Sequence, residues 1–252
     1  MVARQAVDVI DSDLRKLSIT ATRGFDIPIR IRFANWEQEA PPDYTQLMVY
    51  LIPEALTPID QSLIRVQAQI SPVSLIPTAN GEFVLKNVAP GDYRVLATTN
   101  PALAANSRIP SYLKSPYMAS AKLGETEVLN NGIHLNEKPD GTLDIVMATD
   151  TGALYGRVLD ESSAPELPIR TIIVPDTSRR KRLDLYFPLD VTQSGRFSYT
   201  GIPPGDYKMF AWSHAEPGAW FDPQFMRAYE DRGIPIHIEA DVSTPAEVNL
   251  IH

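Results

Sequence analysis

Cysteine is absent from the 252 residues. That excludes disulfides, thiolate nucleophiles and cysteine-based zinc sites, and leaves the compartment open. Positive charge is short as well: 23 Lys and Arg stand against 31 Asp and Glu, a net charge of −8. Nucleic acid and anionic membranes are recognised by clustered positive charge, so neither is expected as a partner. No apolar run approaches the roughly 18 residues of a bilayer-crossing helix, so no membrane span is expected. Histidine is scarce, and His134, His214, His237 and His252 show no short-range ligand spacing, while Asp11-Ser12-Asp13 lacks the rest of a calcium loop. Neither metal nor cofactor is expected. G-x-S-x-G, P-loop and dinucleotide fingerprints are missing too, which lowers the case for an enzyme.

Hydrophobic residues make up 44% of the chain, enough for real cores, and 22 Pro with 13 Gly suit many short strands joined by turns. The chain is organised around a repeat. Residues 80–100, NGEFVLKNVAPGDYRVLATTN, recur without a gap at 194–214, SGRFSYTGIPPGDYKMFAWSH. Each copy reads as an alternating strand opened by Gly81 or Gly195, a tight turn, and a second alternating strand. Pro90-Gly91 and Pro204-Gly205 suit a type II turn, because Pro fixes φ and Gly accepts positive φ. Tyr93 and Tyr207 follow at the position of a tyrosine corner, where a buried ring returns its hydroxyl to the turn backbone. These are scaffold residues, and they point to two units rather than to a reaction.

The pattern G-x-F-x(6)-P-G-x-Y, preceded in the second copy by Gly156-Arg157-Val158-Leu159-Asp160, resembles the carboxypeptidase regulatory-like domain. That is a transthyretin-like or immunoglobulin-like β-sandwich. The stretch PPGDYKMFAWSHAEPGAWFDPQFMRAYEDRG resembles tandem-domain proteins of acidobacteria that are exported or held in the cell envelope. The likeness is good over 151–252 and weaker over 23–150. Where that family often has Thr-Asp-x-x-Gly before the Phe strand, this chain has Val191-Thr192-Gln193-Ser194-Gly195. The resemblance implies an extracellular or envelope location.

The fold expected is all-β: two tandem antiparallel β-sandwich domains, at 23–150 and 151–252, the second with one short helix. Residues 1–22 carry charges with no apolar segment behind them and do not read as a signal peptide. They read as a linker or as the closing strand of an upstream module of a longer exported protein. In the first domain, strands are expected at Phe25–Phe33, Leu47–Ile52, Leu63–Ile70, the repeated hairpin, Tyr117–Leu123, Glu127–Leu129 and Leu143–Met147. Pro28 suggests an edge position for the first, and 101–116 reads as a loop. In the second, strands are expected at Leu154–Leu159, Arg170–Val174, Leu183–Phe187, the hairpin, Ile234–Glu239 and Glu247–Ile251. Asp222 is a suitable N-cap and Pro223 a suitable first residue for a helix near 223–232, which would lay Phe225, Met226 and Tyr229 on a sheet.

Trp212, His214, Trp220 and Tyr229 are the candidate ligand-binding residues, since flat aromatic faces beside polar groups can stack on sugar rings. The competing reading has them fixing the helix to the sheet. Glu216, Asp222, Glu230 and Asp231 lie close in sequence, but Asp222 reads as a cap and Glu230-Asp231 as a solvent face, so no catalytic pair is assigned. Arg179-Arg180-Lys181-Arg182 reads as a solvated loop, or as a contact for an acidic partner. The expected function is a non-catalytic structural or binding module, its partner a polysaccharide or another surface protein. The alternatives are a spacer or self-associating unit, and an accessory part of a carbohydrate- or peptide-processing enzyme.

Overall fold

The computed structural model describes residues 18, 23–34, 36, 42–54, 80–99, 110–160 and 169–252. The expected strand at Leu63–Ile70 and the closing strand within 1–22 lie outside them. The protein is all-β with one short α-helix among these residues, and it divides into two compact units. Among the described residues the first holds those up to 99 together with 118–147, and the second holds 110–117 and those from 148 onward.

The first unit contains β1 (Phe25–Phe33), β2 (Leu47–Pro53), β3 (Glu82–Val88), β4 (Gly91–Thr99), β5 (Tyr117–Leu123), β6 (Thr126–Glu127), β7 (Ile133–Leu135) and β8 (Leu143–Ala148). One sheet runs in the order β3-β1-β8-β5-β6 and the other β2-β4-β7. Alternation decides which residues enter the core: Ile27, Ile29 and Ile31 of β1 are buried while their neighbours face outward. Leu47, Val49, Leu51, Tyr93, Val95 and Ala97 supply the opposite wall.

The second unit contains β9 (Gly152–Leu159), β10 (Arg170–Pro175), β11 (Phe187–Leu189), β12 (Arg196–Ile202), β13 (Gly205–Trp212), α1 (Pro223–Tyr229), β14 (Ile234–Ile238) and β15 (Ser243–Ile251). Strands run β11-β10-β13-β15-β9-β12, with β14 on β13. The connection between β13 and β15 is short, Ala211 to Leu250 and Trp212 to Ile251, so two layers meet along one seam. Leu154, Val158, Ile173, Tyr207, Met209, Val248 and Leu250 fill the space between them.

The two units share one plan. In each, the strand before the corner pairs with the unit's first strand (β3 on β1, β12 on β9), and the strand after the corner pairs with the second (β4 on β2, β13 on β10). The repeated segment is therefore not a hairpin: Pro90-Gly91 and Pro204-Gly205 carry the chain from one layer to the other. Gly91 and Gly205 have φ of +144° and +135°, well beyond the ~+80° of a type II turn, so glycine is required there but the turn is wider.

Several strands differ from expectation. β1 lies between β3 and β8 and is not an edge; its register with β8 begins at Ile29, so Pro28 deprives that ladder of no bond. The first and last described strands of each unit are parallel, β1 with β8 and β9 with β15, and in the second unit β15 also runs parallel to β13. Residues 183–185 form a 3-10 turn, and the strand follows at Phe187–Leu189. The extended piece after β5 stops at Glu127. No helix among the described residues is long and apolar enough to cross a membrane.

Candidate functional site

The corner is the most completely built constellation, and it occurs twice. Tyr93 and Tyr207 are 1% and 2% exposed, and each hydroxyl donates to the carbonyl four residues back, Ala89 at 2.9 Å and Pro203 at 2.8 Å. A buried phenol without that acceptor would lose about 1–3 kcal/mol. Burial pushes the Tyr207 phenol up to about 12 against the pull of the Arg179 guanidinium, which stands 5.0 Å over its ring and donates to the Asp206 carbonyl.

The polar residues on either side of each tyrosine are matched as well. Asp92 and His134 face each other across β4 and β7, with 2.6 Å from Oδ1 to Nδ1. Asp206 and His237 do the same across β13 and β14 at 2.7 Å. On the far side of the tyrosine, the Arg94 guanidinium meets Glu54 and the Asn130 carbonyl, while Lys208 lies 2.8 Å from Glu230. Both basic residues sit at the same place in the repeat. Sequence reading missed the histidines because they come from separate strands and are not at the repeat's spacing. The signal available was Asp-Tyr-[Arg/Lys] itself, a charge on each side of a buried ring.

Beneath α1 lies the aromatic group singled out from sequence. Asp222 caps the helix by accepting from the Gln224 N–H at 2.8 Å, and Pro223 opens it. Met226 then drops into a cluster with Ile172, Val174, Phe210, Trp212 and Ile251 on the outer face of β10 and β13. Trp212 stacks on Phe210 with centroids 5.2 Å apart and meets Phe225 and Tyr229 at 5.5 and 5.7 Å. Trp212 is 1% exposed and Trp220 8%, so neither offers a face for a sugar; a seven-residue helix is held by burying such rings. Both indole N–H groups are buried without a hydrogen-bond partner. Tyr229 is half-buried in the cluster, and His214 is exposed, its Nδ1 3.0 Å from Ser213 Oγ. The four candidates do not form one open site.

The basic run is not a solvated loop. Arg179 donates to Asp176, Arg180 to the Pro175 carbonyl and Glu230, and Arg182, 7% exposed, to Asp184. Lys181 alone is exposed. Glu230 likewise leaves the solvent face assigned to it: burial pushes its carboxyl up, but Lys208 and Arg180 outweigh that and hold it below the usual range. No group of three His, Asp or Glu residues placed to hold a metal occurs among the described residues.

The open surface lies elsewhere, on the outside of β9, β12 and β15. A groove of about 1010 Å³ is lined there by Tyr155, Arg157, Asp190, Arg196, Ser198 and Glu247 among others. Tyr155 is 50% exposed, and beside it Arg157 donates to Glu247 at 2.9 Å across the β9–β15 pair. In the first unit Arg30 meets Asp144 at 2.6 Å in the equivalent place across β1 and β8.

No protein-family model matches the chain, and no curated protein matches it. Among solved structures it is similar to a DUF3823 family protein from Bacteroides ovatus, with 16% identity over 39% of this chain and 44% of that one and a TM-score of 0.24. It is similar to GBS52, the minor pilin of Streptococcus agalactiae, with 14% identity over 90% of this chain and 95% of that one and a TM-score of 0.31. It is also similar to BcpA, the major pilin subunit of Bacillus cereus, with 9% identity over 90% and 99% and a TM-score of 0.26. Likeness at this level says nothing of what the chain does.

Proposed function

We propose that this chain is a non-catalytic structural module of an exported or cell-surface bacterial protein, in which β-sandwich units are strung one after another as a spacer. The observation that carries this is the parallel pairing of the first and last strand in both units. Parallel neighbours start at the same end, so in each unit the first described strand begins at one pole and the last ends at the other, as a linear array requires. The repeat supports the same reading: its Tyr residues bond back to the corner, and its Asp and Arg or Lys residues are taken up by neighbouring strands and turns of the same unit. The surface location rests on the resemblance in the repeated motif.

Concatemers of one, two and three copies test it by X-ray scattering. The maximum dimension is expected to grow linearly with copy number. Growth that falls off as in a collapsed globule would overturn the array, and turnover of a glycan, ester or peptide would put the enzyme reading first.

One observation favours a second reading, a polysaccharide ligand. Tyr155 is the half-exposed aromatic on a flat sheet face, with charged and hydroxyl groups around it, so the groove beside it suits a sugar ring better than the buried tryptophans do. Saturable glycan binding abolished by Tyr155→Ala, and unaffected by His214→Ala, is the expected result; no binding across a glycan panel sinks it.

A further inference from the structure

We infer that each unit is built to resist tension applied through its chain ends, with the parallel first and last strands as the clamp. This rests on the spacer reading, since only a strung module is pulled that way. In the second unit β9 and β15 are registered from Ala153 opposite Ser243 to Leu159 opposite Asn249. Force between the entry at Gly152 and the exit at Ile251 therefore runs along the strands. It crosses a ladder whose bonds are evenly spaced, so they share the force and fail together. Pulling the same two strands apart from one end would break those bonds singly.

Three features fit the clamp. The backbones approach so closely at Gly156 that a Cβ there would overlap the Ala246 carbonyl oxygen. Val248, buried beside this contact, shields the ladder from the core side. On the outer face an Arg of the first strand reaches an acid of the last in both units, Arg30 to Asp144 and Arg157 to Glu247. Such exposed pairs add little at equilibrium, but they tie the two strands that tension would slide. The first unit's ladder is shorter, Ile29 to Phe33 opposite Leu143 to Met147, so it is the one expected to yield first.

The absence of cysteine makes the test direct, because introduced cysteines are unique handles. In the full chain, Thr149→Cys with His252→Cys places handles at opposite poles of the second unit, and Thr149→Cys with Val242→Cys places both at one pole. All three positions are exposed. Forced unfolding follows the barrier rather than the equilibrium stability. Rupture forces several times higher for the opposite-pole pair are expected, with matching thermal melts. Equal forces in the two geometries overturn the clamp and leave the spacer reading standing, since linear growth of concatemers is measured without force. Should the Thr149 handle lower the melt, Asp150→Cys takes its place in both pairs.

Discussion

Removing one oxygen from Tyr207 isolates what the corner hydrogen bond contributes. Tyr207→Phe leaves the Pro203 carbonyl without its donor inside the protein and is expected to cost about 1–2 kcal/mol in urea unfolding, with Tyr93→Phe similar. The same variant has a pH signature. The folded phenol is raised by burial to about 12 from 10.0, so its contribution is complete below the unfolded value and is lost as pH climbs through the folded one. Alkaline unfolding should therefore be shallower between those values in Tyr207→Phe; an unchanged alkaline limb would contradict the buried corner. Glu230 works in the opposite direction. Lys208 and Arg180 hold its folded carboxyl below the ordinary value of 4.5, so its contribution is complete above that value and falls away as pH drops through the folded pKa. Glu230→Gln is expected to flatten the acid limb of the melting curve. At the two corner glycines alanine separates strain from crowding. Both have positive φ, but a Cβ at Gly205 would also press on the Arg179 guanidinium at 2.8 Å, whereas at Gly91 the nearest atom is 3.7 Å away. Gly205→Ala should be the more destabilising in urea titration.

At the scale of elements, α1 decides whether the aromatic residues are a site or a core. Asp222→Ala removes the cap and is expected to cost about 1 kcal/mol. Trp212→Ala empties space beneath the helix and is expected to cost about 3–5 kcal/mol, measured by thermal melting with no ligand present. A stable Trp212→Ala protein would return that residue to the list of ligand contacts. The helix was legible because its signals are local: Asp222-Pro223 at one end and Gly233 just past the other. The corner was legible for the same reason, since the tyrosine's acceptor lies four residues away. What was hidden is what pairs with what. Alternation places Phe83 and Tyr93 on strands but does not say that those strands belong to different sheets, so the corner read as a hairpin. Pro28 looked like an edge because the start of the β8 register is a long-range property. β7, only three residues at Ile133–Leu135, is too short to show a period. The burial of Trp212 and Trp220 was equally out of reach, because a Trp beside Asp, His and Glu has the same sequence signature on a surface as under a helix.

At the scale of the whole molecule, the account rests on the direction of two strands. If the first and last strands of each unit run side by side in the same direction, entry and exit lie at opposite poles, and serial spacing and resistance to tension both follow. If they ran in opposite directions, the ends would meet and the chain would suit insertion into a host domain instead. The cysteine-free background allows that geometry to be read by distance. Spin labels at Thr149→Cys and His252→Cys should lie roughly 30 Å apart, the length of a nine-residue strand. Labels at Thr149→Cys and Val242→Cys, at one pole, should lie roughly 10 Å apart, about two strand spacings. Equal distances, or His252 nearer to Thr149 than Val242 is, would contradict the account.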